Sequence, residues 1–157
     1  VVLDNAVAAL NNSSDYMNFD SAITVTAQTC IAVHRRVAFN GPVLGENSRA
    51  FYVFSGQGTY TQTLGVQDLH DYDTLNVQGL HTSIRDGVSA SNMWVNGQSI
   101  TRLQANLTNQ ASTYTTIGFG AGRKFSGTIQ AVIIYNADKS ADRAAIETAL
   151  NDYFNIY

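Results

Sequence analysis

The densest set of chemically capable side chains is the stretch Asp68-Leu69-His70-Asp71-Tyr72-Asp73. Asp68, Asp71 and Asp73 place three carboxylates at spacings of three and two, and such hard oxygen donors are what Ca²⁺ takes. The glycine and closing glutamate of a helix–loop–helix calcium loop are missing, so a site here would be irregular. The same residues equally suit a solvated acidic turn in which each Asp bonds nearby backbone. Tyr72 lies within this stretch, and Tyr60, Trp94 and Tyr114 are further rings set among polar neighbours. Rings of this kind present an apolar face on which the C–H groups of a sugar can stack. Asn92, Arg85, His81 and Asp71 are the polar groups that could pair with its hydroxyls. Trp94 alternates out of phase with Met93 and Val95. If those two point into a core, Trp94 faces either an open groove or a segment packed over it.

Other chemistries find little to work with. His34, His70 and His81 lack the close spacing of a metal-binding helix or cysteine pair. Glu46 and Glu147 are the only glutamates, one in a polar turn and one in a helical pattern. No nucleophile-elbow pattern is present, and these absences argue against an enzyme. Cys30 sits in the apolar run Thr29-Cys30-Ile31-Ala32-Val33 and is expected to be a small core residue. As the one cysteine it excludes an intrachain disulfide. A net charge of −3 gives no basic footprint for nucleic acid or an anionic membrane. No segment approaches the roughly 20 apolar residues of a membrane-spanning helix. The chain starts at Val1 rather than Met, so we expect a processed protein or a piece of a longer one.

The elements that must position these residues are mostly strands. At 157 residues the chain fits one domain. Only 13% of it is charged, against about 25% in ordinary domains. The Ser, Thr, Asn and Gly that replace the charge favour sheets and polar turns over solvent-facing helices. From Tyr16 on, the apolar pattern has period two, with strands expected over 16–19, 23–27, 30–39, 50–54, 59–66, 74–84, 92–96, 99–104, 115–119 and 127–135. Asp86-Gly87 and Asn96-Gly97 are pairs that tolerate the positive φ of tight hairpin turns. Ile129, Ala131, Ile133 and Tyr135 are expected on one face of their strand, with Val132 and Ile134 making the other face apolar too. That strand should be central and covered, the following helix being the natural cover. Arg35 and Arg36, adjacent in mid-strand, must face opposite ways, so one needs a partner or an edge. Residues 1–15 read as an entry arm with a helical turn. Residues 138–157 read as a helix with Ser140 as N-cap, Asp142 in its first turn, and Ile146, Ala149, Leu150, Tyr153 and Tyr157 as its apolar stripe. Asp142, Arg143, Glu147 and Asp152 fall largely off that stripe.

The last third of the chain adds a resemblance. Met93-Trp94-Val95-Asn96-Gly97, Thr116-Ile117-Gly118-Phe119-Gly120, the run Phe125 to Asn136 and the tail Ser140 to Tyr157 resemble, in order and spacing, motifs of concanavalin-A-like (laminin-G-like) domains. The tail is similar to that of many phage and bacterial versions. Gln130-Ala131 departs from the glutamate often found before the Val-Ile-Ile run. The resemblance implies an all-β, two-sheet antiparallel jelly-roll sandwich with one C-terminal α-helix, spanning 1–157 as a single domain. Glycanases of this fold use a Glu-x-Asp-x-x-Glu cluster on one strand, which this sequence lacks.

The function expected is therefore a non-catalytic carbohydrate-binding or adhesion module, such as a lectin-like part of a phage tail or virion surface protein. Trp94, Tyr72, His81, Arg85 and Asn92 are the expected ligand-binding residues, and Asp68, Asp71 and Asp73 the expected Ca²⁺ ligands. The partner would be a cell-surface glycan or a neighbouring virion or adhesin protein, met as a monomer or homo-oligomer on a virion or extracellular surface. The alternative is a structural role, decorating a capsid or assembling with protein neighbours and taking no glycan.

Overall fold

The computed structural model describes residues 8–11, 15–38, 41–46, 52–55, 59–62, 66–70, 76–85, 91–105, 111–120 and 122–157. The strands are β1 (Ala8–Asn11), β2 (Met17–Val25), β3 (Gln28–Arg36), β4 (Leu44–Gly45), β5 (Tyr52–Ser55), β6 (Thr59–Gln62), β7 (Val66–His70) and β8 (Gln78–Arg85). They continue as β9 (Ser91–Val95), β10 (Gln98–Ser99), β11 (Arg102–Ala105), β12 (Ser112–Ile117), β13 (Phe119–Gly120), β14 (Arg123–Lys124) and β15 (Ser126–Tyr135). One helix, α1 (Arg143–Phe154), follows.

Among the described residues these strands make two large antiparallel sheets. One has the order β1-β15-β3-β8-β9-β10, the other β11-β7-β6-β5-β4-β12-β2, with β13-β14 as a small ribbon. The sandwich core lies between the sheets, where Cys30, Ala32, Met93, Val95, Ile129 and Val132 meet Val25, Val43, Leu44, Tyr114 and Ile117. A second apolar layer, Ile31, Val33, Leu80 and Ala131, covers the other face of the six-stranded sheet and packs against Ile146, Leu150, Phe154 and Ile156. The expected covering of the last strand by the helix is thus present, and β15 is flanked by β1 and β3. Each residue there loses water on both faces, which is why its sequence is apolar at successive positions.

Four expectations need correction. A bulge between Ile129 and Ala131 breaks the alternation of β15. Ile129 consequently joins Val132 and Ile134 in the sandwich core, whereas Ala131, Ile133 and Tyr135 face the helix. The described part of the entry arm is a strand, since Ala8–Asn11 pairs with 126–129 of β15. Ser140 is not the N-cap: its N–H and Oγ both donate to Asp138 Oδ1, and the N-cap position falls to Asp142. Asp142 makes no side-chain cap bond, its carboxylate being held by Lys139 Nζ at 3.0 Å. Finally, the buried stripe of α1 rotates: Tyr153 and Tyr157 are 57% and 55% exposed, and Phe154 and Ile156 take the places assigned to them.

The Asn96-Gly97 turn forms as its residue types require, with φ of 50° and 77°. Asn96 also tethers the hairpin to β8, its N–H bonding Leu80 O at 2.8 Å while its Oδ1 accepts from Leu80 N–H at 2.9 Å. Arg35 and Arg36 do part. Arg35 is exposed and donates to Asn76 O at 3.1 Å, while Arg36 turns inward with its guanidinium 5.5 Å from the Phe125 ring centre. The Asp86-Gly87 turn lies outside the described residues.

Candidate functional site

Polar side chains gather at four places, two inside the molecule and two on its surface. In the interior, His34 of β3 and His81 of β8 are 1% and 0% exposed, their ring centres 4.0 Å apart. His34 Nε2 and His81 Nδ1 share a hydrogen bond. Room for the second ring comes from Gly79, where a Cβ would stand 2.8 Å from His81 Nε2. Phe125 closes the cluster edge-on against His34, 5.6 Å between centres. Burial holds both imidazoles well below the usual histidine range, His81 at about 3. For His34 the lesser causes are His81 and then Arg36; for His81 the lesser cause is Arg36.

A second interior group lies along the same strands. Arg85 is 2% exposed and donates from Nε to Thr26 O at 3.0 Å and from its terminal nitrogen to Val25 O at 3.3 Å. Gln28, opposite Arg85 in register, exchanges hydrogen bonds with Tyr114 Oη at 3.0 and 3.1 Å. These contacts tie β8 to the end of β2, and β3 to β12, across the sandwich. Cys30 lies between the two groups, its thiol pushed up to about 12 by burial, as expected of a core residue.

On the surface, the first group forms where α1 meets the β9–β10 hairpin. The Arg143 guanidinium lies 4.6 Å from the Trp94 ring centre and bonds Glu147 one turn on. Glu147, expected to lie off the packed face, is 3% exposed. Tyr157 completes the group: a Cβ on Gly97 would lie 3.3 Å from its hydroxyl oxygen. Its hydroxyl pKa is raised, first by burial and then by Glu147, with Arg143 opposing. Asn151 pins the last residues, its Oδ1 accepting from the N–H of Ile156 and Tyr157 at 3.2 and 2.8 Å.

The second surface group is the outer face of β2 and β12. Met17, Phe19, Ile23 and Val25 pack inward, so Asn18, Asp20 and Thr24 point outward and are exposed. Thr24 Oγ1 lies 3.2 Å from Thr113 Oγ1 across the strands. The pairing is irregular here: Ile23 faces Tyr114 but Asn18 faces Thr116. A bulge of this kind protects an edge strand against uncontrolled pairing.

Set against these groups, the residues singled out from sequence scatter. Met93 and Val95 do point inward, and Trp94 does turn away from them, but what lies over it is Arg143. Asn92 is exposed on β9. His81 and Arg85 are interior residues, because the even spacing that put them on one face put them on the core face, where no surface ligand reaches them. Tyr114 is buried as well. Asp68 lies on β7 and Tyr60 on β6 as register partners. Asp71, Tyr72 and Asp73 lie outside the described residues. Among the described residues no three His, Cys, Asp or Glu side chains converge as metal ligands. No described helix is long and apolar enough to cross a membrane. Arg143 and Glu147, placed by the sequence off the apolar stripe, have the four-residue spacing of a helical ion pair, the signal that points to their contact.

No family model matches the chain, and no curated protein does. Solved structures do. The chain is similar to a native heptameric SAP-like pentraxin from Limulus polyphemus, at 12% identity and a TM-score of 0.56, with 87% of this chain and 78% of that one covered. It is also similar to the receptor binding domain of botulinum neurotoxin type G, at 14% identity and a TM-score of 0.50, with 90% of this chain but 46% of that one covered. Identities this low carry the architecture and leave the ligand open. Among the described residues the chain folds as a jelly-roll sandwich, two large antiparallel sheets with a C-terminal helix laid on one of them.

Proposed function

We propose that this domain is a non-catalytic carbohydrate-binding module, displayed on an extracellular or virion surface such as a phage tail or adhesin. One observation carries the reading. The helix covers the outer face of the six-stranded sheet, while the described outer face of β2 and β12 presents Asn18, Asp20, Thr24 and Thr113. Hydroxyl, amide and carboxylate groups held on a rigid sheet match the donors and acceptors of a sugar ring. The likeness to a pentraxin and to a toxin's receptor binding domain supports the same direction, as does the resemblance of the tail to phage and bacterial domains. Tyr72 and Asn92 remain our candidate ligand contacts, Asn92 being exposed on β9 of the six-stranded sheet and not on the β2–β12 face. His81 and Arg85 drop out through burial, and a ligand stacking on Trp94 must compete with Arg143. Asp68, Asp71 and Asp73 are the proposed calcium ligands.

A glycan array run with calcium and again with EDTA tests the reading. Selective binding that EDTA weakens supports both the glycan and the metal; binding that EDTA leaves intact supports the glycan and removes the metal. Silence across surface polysaccharides sinks the proposal. In that case the exposed rings of Tyr153 and Tyr157 favour a second reading, an assembly module whose helix contacts a protein neighbour or another copy.

A further inference from the structure

We propose that the His34–His81 pair is an acid-sensitive latch between β3 and β8, which holds the sandwich closed at neutral pH and loosens it in mildly acidic surroundings. The inference stands apart from the glycan reading and rests on how the two rings are placed. β3 and β8 are the middle strands of the six-stranded sheet among the described residues. Their register sets Ala32 opposite His81 and His34 opposite Gly79, so both rings enter the same space between the sheets. One imidazole donates its N–H and the other accepts. A proton added to the accepting nitrogen leaves two N–H groups pointing at each other. It also puts a charge where water is excluded.

The surroundings sharpen this. Among the described residues, the fully buried titratable and charged groups of this interior are Arg36 and Cys30 on β3, Arg85 on β8 and Tyr114 on β12, and Glu46, just after β4, has one buried carboxylate oxygen. Two of these are cations, and burial keeps the Cys30 thiol protonated over the range in question. From β9, β15 and the segment before it, the interior receives Met93, Val95, Ile129 and Phe125, which are uncharged. Arg36 opposes protonation of both rings, and burial opposes it more strongly.

The sign follows from linkage. Both rings are depressed in the folded protein, His81 to about 3, whereas in the unfolded chain histidine titrates near about 6.5. The unfolded state therefore binds more protons as pH falls, and folding weakens. The contribution is fully present above about pH 6.5 and is lost by about tenfold in the folding constant per histidine per pH unit below it. Two histidines make the slope about a hundredfold per unit. That window lies above the carboxylate range near about 4, so aspartates and glutamates cannot account for it.

The test uses the intact chain. Urea unfolding is followed at pH 7.5, 6 and 5, alongside imidazole proton resonances of the folded protein. The latch predicts a fall in the folding constant of about sixtyfold between pH 6 and 5, with neither His34 nor His81 titrating above pH 5 while the protein is folded. A His34→Gln/His81→Asn variant, where it folds, should flatten the slope. A folding constant unchanged from pH 7.5 to 5, or either ring titrating near 6.5 in the folded state, would overturn the proposal. The resonances settle the point on the native chain even if the variant fails to fold.

Discussion

Cutting Arg143 back to alanine strands Glu147. The Glu147 side chain is 3% exposed, and the Arg143 side chain it bonds is 20% exposed. A charge left without its partner inside a protein costs about 3–5 kcal/mol. Losing the stack on Trp94 adds about 0.5–1 kcal/mol. Some relief comes as the freed space admits water to Glu147, so the net expectation is a loss of about 2–4 kcal/mol. For a domain of this size that is roughly 5–15 °C in Tm. The reverse change is milder. Glu147→Ala leaves Arg143 on the Trp94 ring and partly in water, at a cost of about 1 kcal/mol. The double variant should accordingly be more stable than Arg143→Ala alone, because no carboxylate is stranded. Urea unfolding followed through Trp94, the one tryptophan in the chain, gives all three values from a probe that touches the perturbed pair. Should Arg143→Ala fall within about 0.5 kcal/mol of the parent, or the double variant prove the worst, Glu147 is not held by this ion pair and the reasoning fails.

One further substitution and one labelling experiment check separate parts of the structure. At Gly127, φ is 148° and a Cβ would stand 2.0 Å from the Arg35 carbonyl oxygen. Gly127→Ala should therefore break the β3–β15 pairing and cost about 3 kcal/mol or more, read as a lowered urea midpoint with fast amide exchange at Arg35 and Arg36. Cys30 should resist alkylation in the native protein at pH 8 and react fully in urea, since burial keeps its thiol protonated up to about 12. Ready labelling of the native chain would contradict the core assigned to it.

Local chemistry carried much of this fold in plain view. The Asn96-Gly97 turn needed only two residues able to adopt positive φ, and both do. The inward set of Met93 and Val95, the outward set of Trp94, the apolar faces of β15 and the existence of a C-terminal helix follow from period two or 3.6 along the chain. Periodicity says that faces differ, not what each face meets. His81 and Arg85 shared a face as the pattern required, but the other sheet covered it, and two ligand candidates became interior residues. His34 and His81 stand 47 positions apart, and only the β3–β8 register brings their rings together.

The remaining departures have the same origin. One bulged residue at 130 is enough to send Ile129 to the opposite face from Ala131. Ala8–Asn11 became a strand because β15 offered it an edge, not because its own residues demanded one. Tyr153 and Tyr157 gave way to Phe154 and Ile156 because the helix settled where Leu80 and Val33 left room, with its polar flank set by Arg143 on Trp94. Apart from Ala8–Asn11, the sequence by itself determined the main strand, turn and helix segments, since those preferences act between residues a few bonds apart. Tertiary structure decided register, cover and charge pairing, because these depend on which distant strand arrives alongside, and with them which polar groups meet a ligand and which meet each other.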